Sequence, residues 1–286
     1  THAKKDSTGI ITLNPDPASA QALVEEDARL REEIRSWTGP AKTADGVGVQ
    51  LLANVQDGKA AAKASESEAE GVGLFRTELC FLAAQTEPSV EEQARIYGEV
   101  FSAFRGKKVV VRTLDAGSDK PVPFANHEHE ENPALGVRGI RLGWTNKGLV
   151  ERQLDAIQMA AEDNGVSEAW VMAPMVATVD EAYEFAQKCR DRDLKPGIMV
   201  EVPSVAMLAD QFLAEVDFFS IGTNDLTQYT MAADRMSSHL AMLTDPWQPA
   251  VLRLVQNAAA AGQRVNKPVG VCGEAAADPL LACVLI

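Results

Sequence analysis

The sequence predicts an α/β fold: a (β/α)8 barrel of the TIM type that lacks its last βα unit and is preceded by a helix. Three observations carry this. From residue 47 onward, short runs rich in β-branched and aromatic residues alternate with helical patterns. Such alternation implies right-handed βαβ crossovers and a parallel sheet. Seven strands are expected, at Val47–Val55, Gly71–Phe75, Lys108–Asp115, Trp170–Val176, Gly197–Val202, Asp217–Gly222 and Pro268–Gly273. Several of these runs close on a polar or charged residue, at the strand end where barrels and open α/β sheets place their chemistry. A closed barrel needs eight strands. The final pattern, Glu274–Ile286, reads as a helix start on an apolar run, after which an eighth strand and helix would follow. An open doubly wound sheet is the alternative.

Taken in order, the elements begin with residues 10–14, one short strand with no partner nearby, ended by Pro15. Residues 18–37 read as a helix, because Leu23, Leu30, Ile34 and Trp37 recur at spacings of 7, 4 and 3 among charged residues. Thr38-Gly39-Pro40 ends it. It is polar over most of its surface. It reads equally as a linker between domains or as an N-terminal helix packed on the main body. Farther along, Ser89-Val-Glu-Glu92 and Thr178-Val-Asp-Glu181 are capping boxes, in which hydroxyl and carboxylate satisfy free amides of the first turn. Asn164-Gly165 and Ala261-Gly262 read as helix ends.

Bulk composition narrows the function. The chain has 286 residues, 27 Lys+Arg against 41 Asp+Glu, and a net charge of −14. Nucleic-acid surfaces need a basic field, so that partner is not expected. No run of 18 apolar residues suggests a membrane span, and the charge suits a cytoplasmic protein. Cys80, Cys189, Cys272 and Cys283 form no C-x-x-C pair, so free thiols in a reducing compartment are expected rather than zinc or disulfides. The chain starts with Thr rather than Met, and reads as a fragment.

The polar residues at the strand ends form a set. Arg76 follows Gly71-Val-Gly-Leu-Phe75, and Arg112 ends Val109-Val-Val111. Glu201 ends the fifth run, Asn224-Asp225 follow the sixth, Arg235 comes just after a short helix, and Cys272 ends the seventh. In a barrel all of these ring one mouth. Arginine forks bind phosphate and carboxylate in bidentate fashion. Two carboxylates, Glu201 and Asp225, suit a hard cation such as Mg²⁺, which takes its remaining ligands from water and substrate phosphate. Each residue alone has a plainer reading: a surface ion pair for an arginine, a small core residue for Cys272, a bridged pair for Glu201 and Asp225. Six such residues at the ends of five strands, with Arg235 close behind, are harder to explain that way. The polar loop Ala116–Gly136 has the length of a lid or binding loop. His127 and His129 within it read as part of a solvated charge run rather than as metal ligands. Arg138 and Arg141 either close on the ring or simply decorate a helix, and the sequence assigns no role among these to them or to Lys120.

The strings are then recognisable. Gly71-Val-Gly-Leu-Phe-Arg-Thr-Glu78, Val111-Arg-Thr-Leu-Asp115, Gly197-Ile-Met-Val-Glu-Val-Pro203, Phe219-Ser-Ile-Gly-Thr-Asn-Asp-Leu-Thr-Gln-Tyr229, Ala233-Asp-Arg235 and Val271-Cys-Gly-Glu274 resemble the phosphoenolpyruvate-utilising enzymes. Within them they resemble the Enzyme I family of the bacterial sugar phosphotransferase system. Pyruvate phosphate dikinase and phosphoenolpyruvate synthase are alternatives that look less similar around Arg112 to Lys120 and at Tyr229. A non-catalytic module that senses phosphoenolpyruvate or only dimerises is the alternative of another class. The resemblance implies that Arg76, Arg112 and Arg235 hold phosphate and carboxylate, and that Asn224 binds substrate. It also implies that Glu201 and Asp225 hold Mg²⁺, with Asp225 beside the substrate as well, and that Cys272 protonates the methylene carbon as enolpyruvate becomes pyruvate. In the family the phosphoryl group passes to a histidine of a separate N-terminal domain, within a Gly-Gly-x-Thr-Ser-His stretch, and then to a histidine-containing phosphocarrier protein. The four histidines here, His2, His127, His129 and His239, lack that context. By resemblance, residues 1–40 are the tail strand of that domain plus a linker helix, residues 41–286 are the phosphoenolpyruvate-binding barrel, and a homodimer is expected.

Overall fold

Parallel strands buried on both faces need helices on one side and a filled interior on the other, and this chain has both. The structure, a computed structural model, describes residues 2–3, 9–10, 13–82, 84–117, 122, 124–125 and 130–286. Its centre is a seven-stranded sheet: β1 Ala53–Val55, β2 Gly71–Arg76, β3 Lys108–Arg112, β4 Trp170–Ala173, β5 Lys195–Val200, β6 Phe218–Gly222 and β7 Val269–Cys272. Spatial order equals chain order, and every neighbouring pair is parallel. The sheet curls until β7 comes within 8 Å (Cα–Cα) of β2. Among the described residues, β1 and β7 remain its two hydrogen-bonding edges. The predicted barrel architecture is therefore present, as a curled sheet of seven strands.

Strand alternation divides the core. Val109, Val111, Phe219 and Ile221 point outward into the layer shared with the helices. Leu74, Val110, Met172, Met199 and Phe218 point inward and fill the barrel, with Trp170 and Cys272 packed against them. Helices Val90–Ala103, Leu149–Asp163, Val179–Arg190 and Pro249–Val265 cover the outside. Both expected capping boxes form, at Ser89/Glu92 and Thr178/Glu181.

Four local expectations need correction. Val47–Val55 is two pieces: Gly48–Val49 pairs antiparallel with Ala41–Lys42, and only Ala53–Val55 joins the main sheet. The cause is the Asp45-Gly46 turn, with Gly46 at φ +92° and the Val47 N–H donating to Thr43 Oγ1 at 2.9 Å. Gly9–Ile10 does have a partner, pairing antiparallel with His2–Ala3; Ile11 and Thr12 lie outside the described residues. Ala261-Gly262 is not a helix end, because the helix runs to Val265 and ends on Asn266 at φ +53°. Gly262 is there to let Val269 and the Lys267 carbonyl approach, the latter 2.8 Å from where a Cβ would stand. The terminal helical pattern breaks into Glu274–Ala277 and Pro279–Leu285, because Asp278 caps the second piece. The first helix, Pro17–Ser36, exposes Leu23, Val24 and Leu30.

Candidate active site

The seven residues singled out from the sequence line one cavity of about 340 Å³ at the C-terminal edge of the sheet: Arg76, Arg112, Glu201, Asn224, Asp225, Arg235 and Cys272. Register explains the convergence. Arg76 pairs with Arg112 across β2 and β3, and Gly222 pairs with Cys272 across β6 and β7. Glu201 follows β5 directly, and Asn224 and Asp225 sit in the first turn of the helix Thr223–Met231 that follows β6. Lys120, His127 and His129 lie outside the described residues.

Arg112 is the best-held member. It is buried and pairs with Glu78, and its Nη1 lies 3.2 Å from Asp115 Oδ2. Burial opposes its charge, but Asp115, Glu78 and Glu201 outweigh burial and raise its pKa. Behind it is a buried polar network. Thr77 Oγ1 donates to the Arg112 carbonyl at 2.9 Å, and Gln153 Nε2 donates to Thr77 Oγ1 and to the Tyr97 hydroxyl, each at 3.0 Å. Arg76 is the exposed arginine of the mouth, and Arg235 is half-buried with Nη1 3.9 Å from Asp225 Oδ2.

Two carboxylates carry the cation question. Glu201 is fully buried, and its Oε1 accepts from the Met175 N–H at 2.6 Å. Burial, then the charges of Asp115 and Asp225, push its carboxyl up to about 8, against the pull of Arg112 and the Met175 amide. Glu201 Oε2 and Asp225 Oδ1 are buried without a hydrogen-bond donor among the described residues. Asp225 Oδ1 has only an ion-pair contact, 3.5 Å from Arg138 Nη1 and too long for a firm hydrogen bond. Two orphaned carboxylate oxygens beside one cavity are the donor set a hard cation takes. No group of three or more His, Cys, Asp or Glu side chains converges among the described residues, so any cation here would need water or substrate to complete its shell.

Cys272 sits at the inner wall. Its Sγ donates to the Ile221 carbonyl at 3.4 Å and accepts from Ser220 Oγ at 3.7 Å. Burial raises the thiol pKa, and the Ser220 hydroxyl opposes that rise. Thr223 Oγ1 donates to the Cys272 carbonyl at 2.9 Å, and the Glu274 N–H donates to Asn224 Oδ1 at 2.9 Å, so the β6 and β7 ends are tied together.

The strand-end pattern misses three charged residues. Glu78 and Asp115 line the cavity and pair with Arg112. Arg138 is 1% exposed, with Nη2 donating to both oxygens of Asp115 at 3.0 and 3.1 Å and Nη1 donating to the Tyr229 hydroxyl at 3.3 Å. It precedes the short 3-10 turn Gly139–Arg141, outside the strand rhythm.

Comparison with known proteins decides the family. The profile of the PEP-utilising enzyme, PEP-binding domain, matches residues 31–286. The chain belongs to the PEP-utilising enzymes. A phosphoenolpyruvate-protein phosphotransferase of Streptomyces coelicolor is 49% identical over 282 residues, which cover 98% of this chain and 50% of that protein. One of Geobacillus stearothermophilus is 39% identical, covering 97% of this chain and 50% of that protein. A multiphosphoryl transfer protein of Rhodobacter capsulatus is 41% identical, covering 97% of this chain and 34% of that protein. The chain thus spans about half the length of the phosphotransferases it matches. Among solved structures, an HpcH/HpaI aldolase/citrate lyase family protein of Burkholderia cenocepacia overlays with a TM-score of 0.49 at 17% identity, covering 90% of this chain and 89% of that one, too distant to argue from.

Proposed function

We propose that this chain is the phosphoenolpyruvate-binding half of a phosphoenolpyruvate-protein phosphotransferase. The observation that carries the reading is the convergence on one cavity of three arginines, an asparagine, a thiol and two carboxylates, each with one oxygen lacking a hydrogen-bond donor among the described residues. Arg76, Arg112 and Arg235 bind and orient the phosphate and carboxylate of phosphoenolpyruvate. Asn224 holds a substrate oxygen. Glu201 and Asp225 hold Mg²⁺, which when bound neutralises charge on the transferring phosphoryl group. In the reaction the bond between phosphorus and the enol oxygen breaks, and a bond from phosphorus to a histidine nitrogen of a domain outside this chain forms. Cys272 gives its proton to the methylene carbon, so enolpyruvate leaves as pyruvate, and the thiolate is reprotonated from solvent. Inside the buried mouth the thiol stays protonated until the enolate develops beside it. The phosphohistidine then serves a histidine-containing phosphocarrier protein in sugar uptake. The working form is a cytoplasmic homodimer, a compartment that accords with the four unpaired cysteines.

Titration calorimetry with phosphoenolpyruvate, with and without Mg²⁺, tests the reading. Binding that strengthens with Mg²⁺ and is lost in Arg112→Met supports it; absence of binding overturns it. Adding the histidine-bearing half of a relative and measuring pyruvate then separates a phosphotransferase from a sensor. Binding without pyruvate formation favours the sensor.

A further inference from the structure

Met175 is the odd residue behind the mouth, hydrogen-bonded to its Glu201. It follows β4 by way of Pro174, is 1% exposed, and has φ of +63°. Left-handed backbone is rare for a long side chain. The other non-glycine positive-φ residues among those described are Asn14, Asp193, Ala232 and Asn266. Asn and Asp tolerate this region, and Ala232 closes a helix. Met175 has neither excuse, and such outliers cluster at functional sites.

The kink has one product. It turns the Met175 N–H into the mouth, where it donates to Glu201 Oε1 at 2.6 Å. Glu201 Oε2 is left buried with no donor among the described residues. The kink is also clamped from the far side. Gly139, itself at φ +59°, comes so close that a Cβ there would stand 2.9 Å from Met175 Cβ and 3.0 Å from the Pro174 carbonyl. The Ile140 N–H donates to that same carbonyl at 3.2 Å, and the Tyr229 hydroxyl lies 3.7 Å from Met175 Sδ.

We infer that the left-handed Met175 backbone is a positioning device for Glu201: its amide engages Oε1 and fixes the carboxylate, so that Oε2 is the oxygen offered to a divalent cation. This rests on the reading of Glu201 as a cation ligand. A carboxylate free to turn can chelate with both oxygens; one already bound to an amide coordinates through one, leaving more of the shell to water and substrate. Met175 is a positioning residue, acting through Glu201 and touching neither substrate nor cation.

The decisive variant is an amide-to-ester replacement at Met175, made by nonsense suppression with the hydroxy-acid analogue of methionine. It removes the N–H and keeps the side chain. In the presence of phosphoenolpyruvate, Mn²⁺ binding to the 286-residue chain is measured by electron paramagnetic resonance, and water on the bound Mn²⁺ by proton relaxation. The expected result is a loss of roughly tenfold or more in Mn²⁺ affinity, the scale of a hydrogen bond to a charged group, with fewer waters on the ion as Glu201 becomes bidentate. Met175→Gly keeps both the N–H and the positive φ and is expected to retain near wild-type affinity and hydration. Wild-type affinity and hydration in the ester overturn the inference, even if its metal-free melting temperature falls, since a purely structural amide would act on stability alone. A loss in Met175→Gly equal to that in the ester also overturns it. Glu201→Gln separates the two layers: wild-type Mn²⁺ binding there defeats the ligand reading itself, and the inference with it. Loss of binding there beside an unaffected ester defeats the inference alone.

Discussion

Cys272 receives two opposed influences from its own strands. Burial raises the thiol pKa, and the Ser220 hydroxyl, donating to the sulfur from β6, restrains the rise. Ser220→Ala removes that donor, so the thiol pKa should climb further and alkylation by iodoacetamide should slow at a given pH. Peptide mapping after alkylation checks this, since exposed Cys283 reacts independently while Cys189 is buried and the Cys80 thiol is pushed up to about 12 by burial. An unchanged rate profile at Cys272 would refute it. Glu201 gives a second residue-scale prediction, with its sign set by the raised pKa. The folded state holds the Glu201 proton up to about 8, whereas the unfolded chain releases it in the ordinary carboxylate range. The folded state therefore binds more protons between those values. Its contribution to stability is fully present below the ordinary carboxylate range and is lost as pH rises through about 8. In chelator-treated protein, Glu201→Gln, which stays neutral, should be more stable than wild type near pH 8 and lose that advantage near pH 4. Urea unfolding at the two pH values checks it.

At the scale of elements, the helix Pro249–Val265 shows how packing overrides local rules. Gly262 lies inside it, and alanine there would improve helix propensity. A Cβ would meet Val269 and stand 2.8 Å from the Lys267 carbonyl, so overpacking wins. Gly262→Ala should destabilise by about 1–3 kcal/mol, read as a lower melting temperature; a stabilised variant would mean the helix can slide off β7. The same contest explains what the sequence makes legible. The strands from Gly71 to Gly273 can be read because parallel strands buried on both faces are apolar runs closing on a polar residue. Six of the seven candidate site residues follow from that pattern, whereas Arg235 stands just behind the helix that follows β6. Val47–Val55 misleads because its residues suit a strand throughout, while the Asp45-Gly46 hairpin diverts the first part; that dipeptide is the signal that could have split it. Glu78 and Asp115 stand inside the quoted motifs, but their pairing with Arg112 depends on how loops return over the strand ends, which no periodicity encodes. Arg138 is harder still. Nothing in Val137-Arg138-Gly139 distinguishes a fully buried arginine from an exposed one; its partners Asp115 and Asp225 lie 23 residues behind and 87 ahead in sequence.

For the whole molecule, the distribution of burial predicts a gradient of local stability. β5 and β6 are buried along nearly their whole length, between the outer helical layer and the barrel interior. β7 is only partly covered, β1 buries Val55 alone, and the helix Pro17–Ser36 exposes Leu23, Val24 and Leu30. Opening free energy tracks buried contacts, so amide exchange should be slowest in β3 to β6, faster in β1 and β7, and fastest in residues 17–36. The site straddles this gradient. Arg112 and Glu201 stand on or beside the protected strands, while Cys272 stands on the partly covered edge strand. On the proposed reading a cation and phosphoenolpyruvate would contact both groups, and ligands that bind only the arrangement with both in place stabilise it by mass action. Saturation with Mg²⁺ and phosphoenolpyruvate should therefore slow exchange in β7 and at Gly273 more than in β5, and leave residues 17–36 unchanged. Hydrogen-exchange mass spectrometry with and without the ligands checks this. Equal protection of β5 and β7 on binding would mean that the edge strand is already as firmly held as the centre, and that the thiol is not brought into place by substrate.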